Sequence, residues 1–329
     1  MSKAVTRIIA RCAGENCHPG PDRVQSGRKW AKWPRTGMKM LRYTDITGAK
    51  IDKVQTAIDR LKSFEPQEGY YLAFSGGKDS CCIKELANMA GVQYDAHYSV
   101  TTVDPPELVR FIKYQHPDVI FERPKLPMRK LIVQHYTPPT RVIRYCCKEL
   151  KEGDGKGRIV VTGVRWAESA RRKAQHGIVN IKRNILNDDN DETRRMVENC
   201  YRTQKTMVNP IIDWSDDEVW EFIHERKLPY CSLYDEGWKR LGCVGCPMRG
   251  TKGMTKDFER WPQYKALYLR AFDEMLEVRK AMGKDDLTGG WINAEAVFDW
   301  WMGKPGTKYK GDGQILMDMD PNGEEGAEL

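Results

Sequence analysis

The sequence predicts an α/β protein built on a doubly wound, mostly parallel sheet, and three features lead there. The first is alternation. Apolar runs at Tyr70-Tyr71-Leu72-Ala73-Phe74, at residues 92–100 and at Arg158-Ile159-Val160-Val161-Thr162-Gly163-Val164 are separated by stretches with helical spacing, the pattern of βαβ units. The second is the turn Ser75-Gly76-Gly77-Lys78-Asp79-Ser80, set between the first of these runs and a helical segment. The third is size: 329 residues, 40% hydrophobic and 30% charged, suit about two domains and a full core.

In order, Ile51, Val54, Ile58 and Leu61 give helical spacing over 51–63. The loop Glu65-Pro66-Gln67-Glu68-Gly69 leads into a strand at 70–74, a helix at 79–90 and a strand at 92–100, ended by Asp104-Pro105-Pro106. A helix at 106–115, a short strand at 119–122, a helix near 127–135 and a strand at 158–164 follow. Residues 180–205 are polar, with Asn187-Asp188-Asp189-Asn190-Asp191-Glu192, and read as a mobile insertion. Ser215-Asp216-Asp217-Glu218 has the form of a capping box opening a helix at 215–227. Helices are expected at 256–283 and 293–302, where Trp261, Tyr264, Tyr268, Phe272 and Met275 at helical spacing read as core. The expected organisation is a basic arm at 1–48, an α/β domain at 49–250, a helical subdomain at 251–311 and an acidic tail at 312–329. Ligands of doubly wound sheets bind beyond the carboxyl ends of the strands, where Ser75–Ser80 and Gly163-Val164-Arg165 would fall.

Composition narrows the function classes. No apolar stretch approaches the roughly 18 residues a membrane helix needs, and Met1–Arg11 lacks the apolar region of a signal peptide. A cytoplasmic location and no membrane partner are the expectation. The first 50 residues carry eleven Lys and Arg against Glu15, Asp22 and Asp45, which accounts for the whole net charge of +8. Trp30 and Trp33 lie among Arg28, Lys29, Lys32 and Arg35, and interleaved rings and cations suit nucleic acid as well as the chain's own acidic surface. Ten cysteines in a reducing compartment point to metal or sulfur chemistry rather than a disulfide framework.

Ser75–Ser80 builds an anion site largely from backbone. Gly76 and Gly77 allow positive φ and close approach, the first N–H groups of the following helix face the anion, Lys78 adds a cation, and Ser75 and Ser80 add hydroxyls. The spacing departs from the Walker pattern. It resembles the PP-loop of the ATP pyrophosphatases, which implies ATP as a ligand and cleavage between its α- and β-phosphates. Asp79 would then serve Mg²⁺. Among the remaining polar residues, Arg165, Glu168, Arg171 and Arg172 follow a strand end, and Arg suits bidentate contacts to phosphate or sulfate. Arg141 and Arg144 precede a cysteine pair.

Cys146-Cys147 and Cys243-Val244-Gly245-Cys246 offer four thiolates, compatible by spacing with zinc or an iron–sulfur cluster. Adjacent cysteines in an extended segment point apart, which is awkward for tetrahedral zinc. Cys81 and Cys82 read as small packing residues, and Cys12 and Cys17 have the spacing of half a metal knuckle, but no second half is evident and the pair is not read as a metal site.

Several ordered blocks carry a family resemblance over about residues 70–250. Arg144-Tyr145-Cys146-Cys147-Lys148-Glu149-Leu150-Lys151 is similar to the Cys-Cys segment of the adenylyl-sulfate and phosphoadenylyl-sulfate (PAPS) reductases. Gly163-Val164-Arg165-Trp166-Ala167-Glu168-Ser169-Ala170-Arg171-Arg172 resembles their Gly-x-Arg-x-x-Glu-Ser-x-x-Arg block. Pro210–Trp220 and Pro229–Gly237 match as well. The resemblance implies an adenine nucleotide α-hydrolase-like fold, an adenine nucleotide ligand, a [4Fe–4S] cluster on Cys146, Cys147, Cys243 and Cys246, and a sulfur donor or thioredoxin-like reductant as partner. Two departures stand out. The reductases attack with a cysteine in a C-terminal Glu-Cys-Gly-like segment, whereas no cysteine follows Cys246 here. They also usually have a degenerate PP-loop, and this one is intact.

The expected activity is therefore cleavage of ATP to AMP and pyrophosphate, coupled to iron–sulfur-dependent sulfur transfer, as in the family's ATP-using sulfurtransferase relatives. Lys78, Asp79, Arg165, Glu168 and Arg171 would be catalytic; Ser75, Gly76, Gly77, Ser80 and Gly163 would complete the nucleotide site. The alternatives are a sulfonucleotide reductase with its thiol relocated, for example to Cys231, and a non-catalytic nucleotide-sensing nucleic-acid binder.

Overall fold

The computed structural model describes residues 41–44, 47–151, 155–181, 184–188, 190–200, 206–284 and 290–304. The expectations for the arm, Cys12, Cys17, Trp30, Trp33 and the tail lie outside these residues.

Strands β1 (Arg42–Thr44) and β2 (Lys50–Asp52) form a two-stranded antiparallel sheet of their own. Asp52 then caps α1 (Lys53–Ser63), accepting a hydrogen bond from the Gln55 N–H, and the helix buries Val54, Ala57, Ile58 and Leu61. The main sheet begins with β3 (Tyr70–Ala73), α2 (Lys78–Ala90), β4 (Tyr94–Ser99), α3 (Pro106–Gln115) and β5 (Ile120–Glu122). Gly91, at φ +71°, closes α2 through its N–H to the Asn88 carbonyl, a left-handed cap that glycine forms without a Cβ penalty. After α4 (Met128–His135) and α5 (Tyr145–Leu150) the chain returns to β6 (Ile159–Val161), beside β3.

The seven strands lie in the order β5-β4-β3-β6-β9-β7-β8, where β7 is Val179–Ile181, β8 Asn184–Leu186 and β9 Thr206–Val208. Those from β5 to β9 are parallel, whereas β7 and β8 add an antiparallel margin. The doubly wound, mostly parallel sheet expected from the sequence is thus present.

Residues 180–205 differ from the expectation of a mobile insertion. They supply part of β7, all of β8 and α7 (Asp191–Cys200), and β7 pairs with β9. Val179, Ile181 and Val197 are buried. Three-residue strands are too short to show a period in a sequence, and the acidic run between them hides their apolar positions.

A capping box does open α8 (Asp216–Glu225), with Ser215 and Glu218 each accepting the other's backbone N–H. The helix expected at 256–283 is two, α9 (Gly250–Arg260) and α10 (Pro262–Ala281). Pro262 has no N–H to continue α9 and pushes the residue before it out of helical geometry; Trp261 sits at φ −130°, ψ 70°. The aromatic stripe on these helices is core: Trp261, Tyr268, Phe272 and Met275 are buried. Helix α10 packs against α4 and against α11 (Ala294–Trp301), and the Trp301 indole N–H reaches the Pro139 carbonyl at 2.7 Å. No helix among the described residues is long and apolar enough to cross a membrane.

Candidate functional site

Strand β3 ends under the Ser75–Ser80 turn, and β6, its parallel neighbour, ends under Thr162–Arg165. From β3 the chain winds outward to β5, and from β6 the sheet extends the other way, so the two loops part at the switch point that opens a crevice. Gly76 adopts φ +71°, and a Cβ there would stand 2.7 Å from Ile112 and Leu108 on α3. Glycine is required on both counts. Gly163 allows the second close approach, since its Cβ would lie 3.0 Å from that of Asp79.

Inside the turn the Ser80 hydroxyl donates to the Gly77 carbonyl at 2.8 Å, and Ser75 Oγ lies 3.3 Å from Ser80 Oγ. The Lys78 N–H, at the head of α2, donates to the Tyr234 hydroxyl at 2.9 Å. This is one of the orphan amides at a helix start that an anion would use.

Two cations and two carboxylates converge here. Arg165 is buried, with its Nε donating to Asp79 at 2.6 Å, one terminal nitrogen to the Trp214 carbonyl at 3.1 Å and the other to Asp216 at 2.5 Å. Lys78 Nζ lies 3.3 Å from Asp79 Oδ2 and 3.1 Å from Asp216. Burial alone would raise the Asp216 carboxyl, but the hydrogen bonds from Arg165 and Lys78 outweigh it and hold the group below its ordinary value. Burial opposes the Arg165 charge, and Asp79 and Asp216 more than restore it. The four charges cancel without a ligand, yet the Asp216 side chain is 68% exposed, so it can exchange partners when an anion arrives.

Of the sequence-predicted residues, Glu168 accepts the Arg165 N–H at 3.1 Å and pairs with Arg240 and Arg172. It anchors the loop that carries Arg165. Arg171 is not brought in; it is exposed on α6 (Ala170–Gln175) and bonds Gln175. Asp216 and Tyr234 were missed. Asp216 was read only as part of a capping box, although acids in a helix's first turn also face whatever lies beyond it. Tyr234 lay in a matched block with nothing local to mark its hydroxyl.

The structure brings Cys146 and Cys147 near Cys243 and Cys246. Cys146 and Cys147 lie in the first turn of α5, not in an extended segment, so the argument from divergent neighbours does not apply. Cys146 interacts electrostatically with Cys147, Cys243 and Cys246. A hydrogen bond from Cys146, then one from Arg144, holds the Cys147 thiol below its ordinary value. Gly245, at φ +70°, makes the Cys-x-x-Cys turn, and its N–H donates to buried Asp257 at 2.9 Å. Cys243 Sγ lies 3.5 Å from the Thr101 hydroxyl, and the positive charge of Lys151 acts on Cys243. Among the described residues no three or more His, Cys, Asp or Glu are spaced for a single metal ion. One zinc would need thiolates about 3.8 Å apart, given Zn–S bonds near 2.3 Å; four irons spread their ligands more widely. Arg144 and Lys151 place positive charge beside these thiols.

Among the described residues the other thiols, Cys81, Cys82 and Cys231, are packing groups. Cys81 and Cys82 are buried, and burial pushes Cys81 up to about 12. Cys231 is 1% exposed, and burial raises it as well.

Known proteins bear on this arrangement. An uncharacterized protein of Methanocaldococcus jannaschii is 25% identical over 241 residues, 70% of this chain and 45% of that protein, so the chain spans less than half of that relative. An adenosine 5'-phosphosulfate reductase of Oceanobacillus iheyensis is 24% identical over 183 residues, 53% of this chain and 67% of that protein. A phosphoadenylyl-sulfate reductase structure from Candida auris, in a phosphate complex, aligns with TM-score 0.41 and 15% identity over 57% of this chain and 88% of that one. The family model of the phosphoadenosine phosphosulfate reductase domain matches residues 69–249, more than half of the sequence, and the chain belongs to that family.

Proposed function

We propose that this protein is a PP-loop ATP pyrophosphatase that activates an acceptor oxygen for sulfur insertion. The observation that carries the reading is the intact Ser75–Ser80 turn at the switch point, with Lys78 and Arg165 converging on Asp79 and Asp216. The turn and the first amides of α2 would hold phosphate oxygens, and Lys78 would stabilise charge on the departing pyrophosphate. Asp79 and Asp216 would hold Mg²⁺, which neutralises the leaving group when bound. The acceptor oxygen attacks the α-phosphorus, the bond to the bridging oxygen breaks, and pyrophosphate leaves with the electron pair. A sulfur nucleophile from a donor protein then displaces AMP, which departs with the acceptor oxygen. Cys146, Cys147, Cys243 and Cys246 would hold a [4Fe–4S] cluster, which supplies or positions sulfur. Glu168 is a positioning residue, since it fixes the Arg165 backbone and touches no reacting atom. A cytoplasmic setting follows from this chemistry.

A sulfonucleotide reductase is the second reading, favoured by the family and by the name of the Oceanobacillus relative. It needs an accessible attacking thiol, and Cys231 is buried with its thiol raised. The test is competition of ATP with Mg²⁺ against adenylyl sulfate and PAPS on anaerobically purified protein. Preferred ATP binding, with pyrophosphate released once an acceptor is supplied, is the expected result. A clear preference for a sulfonucleotide, with sulfite released by thioredoxin, would replace this reading by the second.

A further inference from the structure

The nucleotide cradle and the cysteine turn are joined by a continuous band of cations that neither centre uses. Glu168, behind Arg165, pairs with Arg172 at 3.3 Å and with Arg240 at 2.8 Å. Arg249, just past Cys246, donates to the Arg240 carbonyl at 3.3 Å and stacks its guanidinium 4.8 Å from the Trp238 ring centre. Lys256 sits 4.3 Å from that same ring. Lys252 lies one turn before Lys256 on α9, and Lys239 lies between Trp238 and Arg240. Two acids meet these six cations. Glu168 is mostly covered, and Asp257 is fully buried and turned toward the Gly245 N–H.

The six cations are not spent on neutralising one another's surroundings. The Arg240 side chain remains 66% exposed despite its bond to Glu168, and Lys239, Lys252 and Lys256 are exposed. The shape of the band matters as much as its sign. It runs from the crevice edge, through Arg172 and Arg240, to the Cys243–Cys246 turn. A compact anion would need convergent cations, as in the cradle; a line of separated ones suits a chain of regularly spaced phosphates.

We propose that this band docks the phosphodiester backbone of a nucleic acid. Resting on the reading of the chain as an adenylating sulfurtransferase, this makes a nucleic acid the acceptor, held with the target nucleotide between the α-phosphate site and the cysteines. The band contains no residue of the basic N-terminal arm, so substitutions in each can be tested separately.

The test uses the full-length chain, purified anaerobically, and a fluorescein-labelled single-stranded oligonucleotide, made as DNA and as RNA. Affinity is measured against salt for the wild type, for Lys239→Gln/Lys252→Gln/Lys256→Gln, and for Arg28→Gln/Lys29→Gln/Lys32→Gln/Arg35→Gln in the arm. Each phosphate contact contributes about 0.7 to the slope of log affinity on log salt for a single strand, so the triple variant loses about 2. The double variant Lys239→Gln/Lys252→Gln leaves the Trp238 stack intact and loses about 1.4. Binding of ATP stays at the wild-type value in every variant, so a failure of the nucleotide reading shows up separately, in the wild type. The proposal is overturned if only the arm variant changes the slope, or if the wild type binds neither oligonucleotide. It is also overturned if polyglutamate of matched charge competes as well as the oligonucleotide, which would make the band a protein-docking surface.

Discussion

Arg165 and Asp79 stand 86 residues apart in the chain, yet the guanidinium Nε lies 2.6 Å from the carboxylate. That contact ties the loop after β6 to the first turn of α2, across the crevice where a nucleotide would sit. Because Arg165 also bonds Trp214 and Asp216, one buried side chain organises three loops that are remote in sequence.

Removing that side chain should therefore cost stability as well as binding. Arg165→Ala leaves Asp79 without its nearest cation, and breaking such a pair costs about 3 kcal/mol, less whatever solvent recovers at exposed Asp216. Arg165→Lys should rescue less than half, since an ammonium cannot reproduce three directional bonds. Urea unfolding checks the order wild type, Lys, Ala; equal stabilities would show that the network is incidental.

At Gly76 the demand is steric. Alanine there would hold φ +71° and place a Cβ 2.7 Å from Ile112 and Leu108. Left-handed geometry costs about 1–2 kcal/mol and overpacking about 1–3 kcal/mol. Gly76→Ala should lose about 3 kcal/mol in denaturant titration and most of its ATP affinity in calorimetry.

The Tyr234 hydroxyl occupies an amide that a phosphate would claim. Tyr234→Phe leaves the Lys78 N–H without that acceptor, at about 1 kcal/mol. A bound phosphate restores the bond, so the loss falls on the free protein alone. The variant should be slightly less stable and bind ATP about fivefold more tightly. Weaker binding would instead make the hydroxyl a phosphate ligand.

Acid should weaken the fold through His116. Burial first, and the neighbouring Lys84 ammonium next, lower its pKa to about 4, partly offset by Asp118. The unfolded chain takes up this proton near 6.5 while the native state does not. Stability is therefore full above about 6.5 and falls as pH drops toward 4, by about 2 kcal/mol after allowance for solvent. Comparing unfolding of wild type and His116→Gln at several pH values isolates this share. A difference between them that stays constant across the window would refute it.

How much of this was legible beforehand depends on how local the physics is. The Ser75–Ser80 turn could be read directly, because positive φ, close approach and a helix start are all written in consecutive residues. The Ser215–Glu218 cap was legible for the same reason. The small strands β7 and β8 were not, since their pairing depends on β9 rather than on their own pattern. The break at Trp261 was available in Pro262 but was masked by an aromatic stripe that continues through it.

The sequence by itself determined the alternating α/β order, the glycine-rich turn at Ser75–Ser80, the four cysteines and the family, all of which rest on residue type and short spacing. Only the tertiary structure decided that Asp216 and Tyr234 join the cradle, that Arg171 does not, and that six cations from three separate segments form one band. Those outcomes depend on which loops the sheet order brings together, and strand order is set by long-range packing that no local window contains.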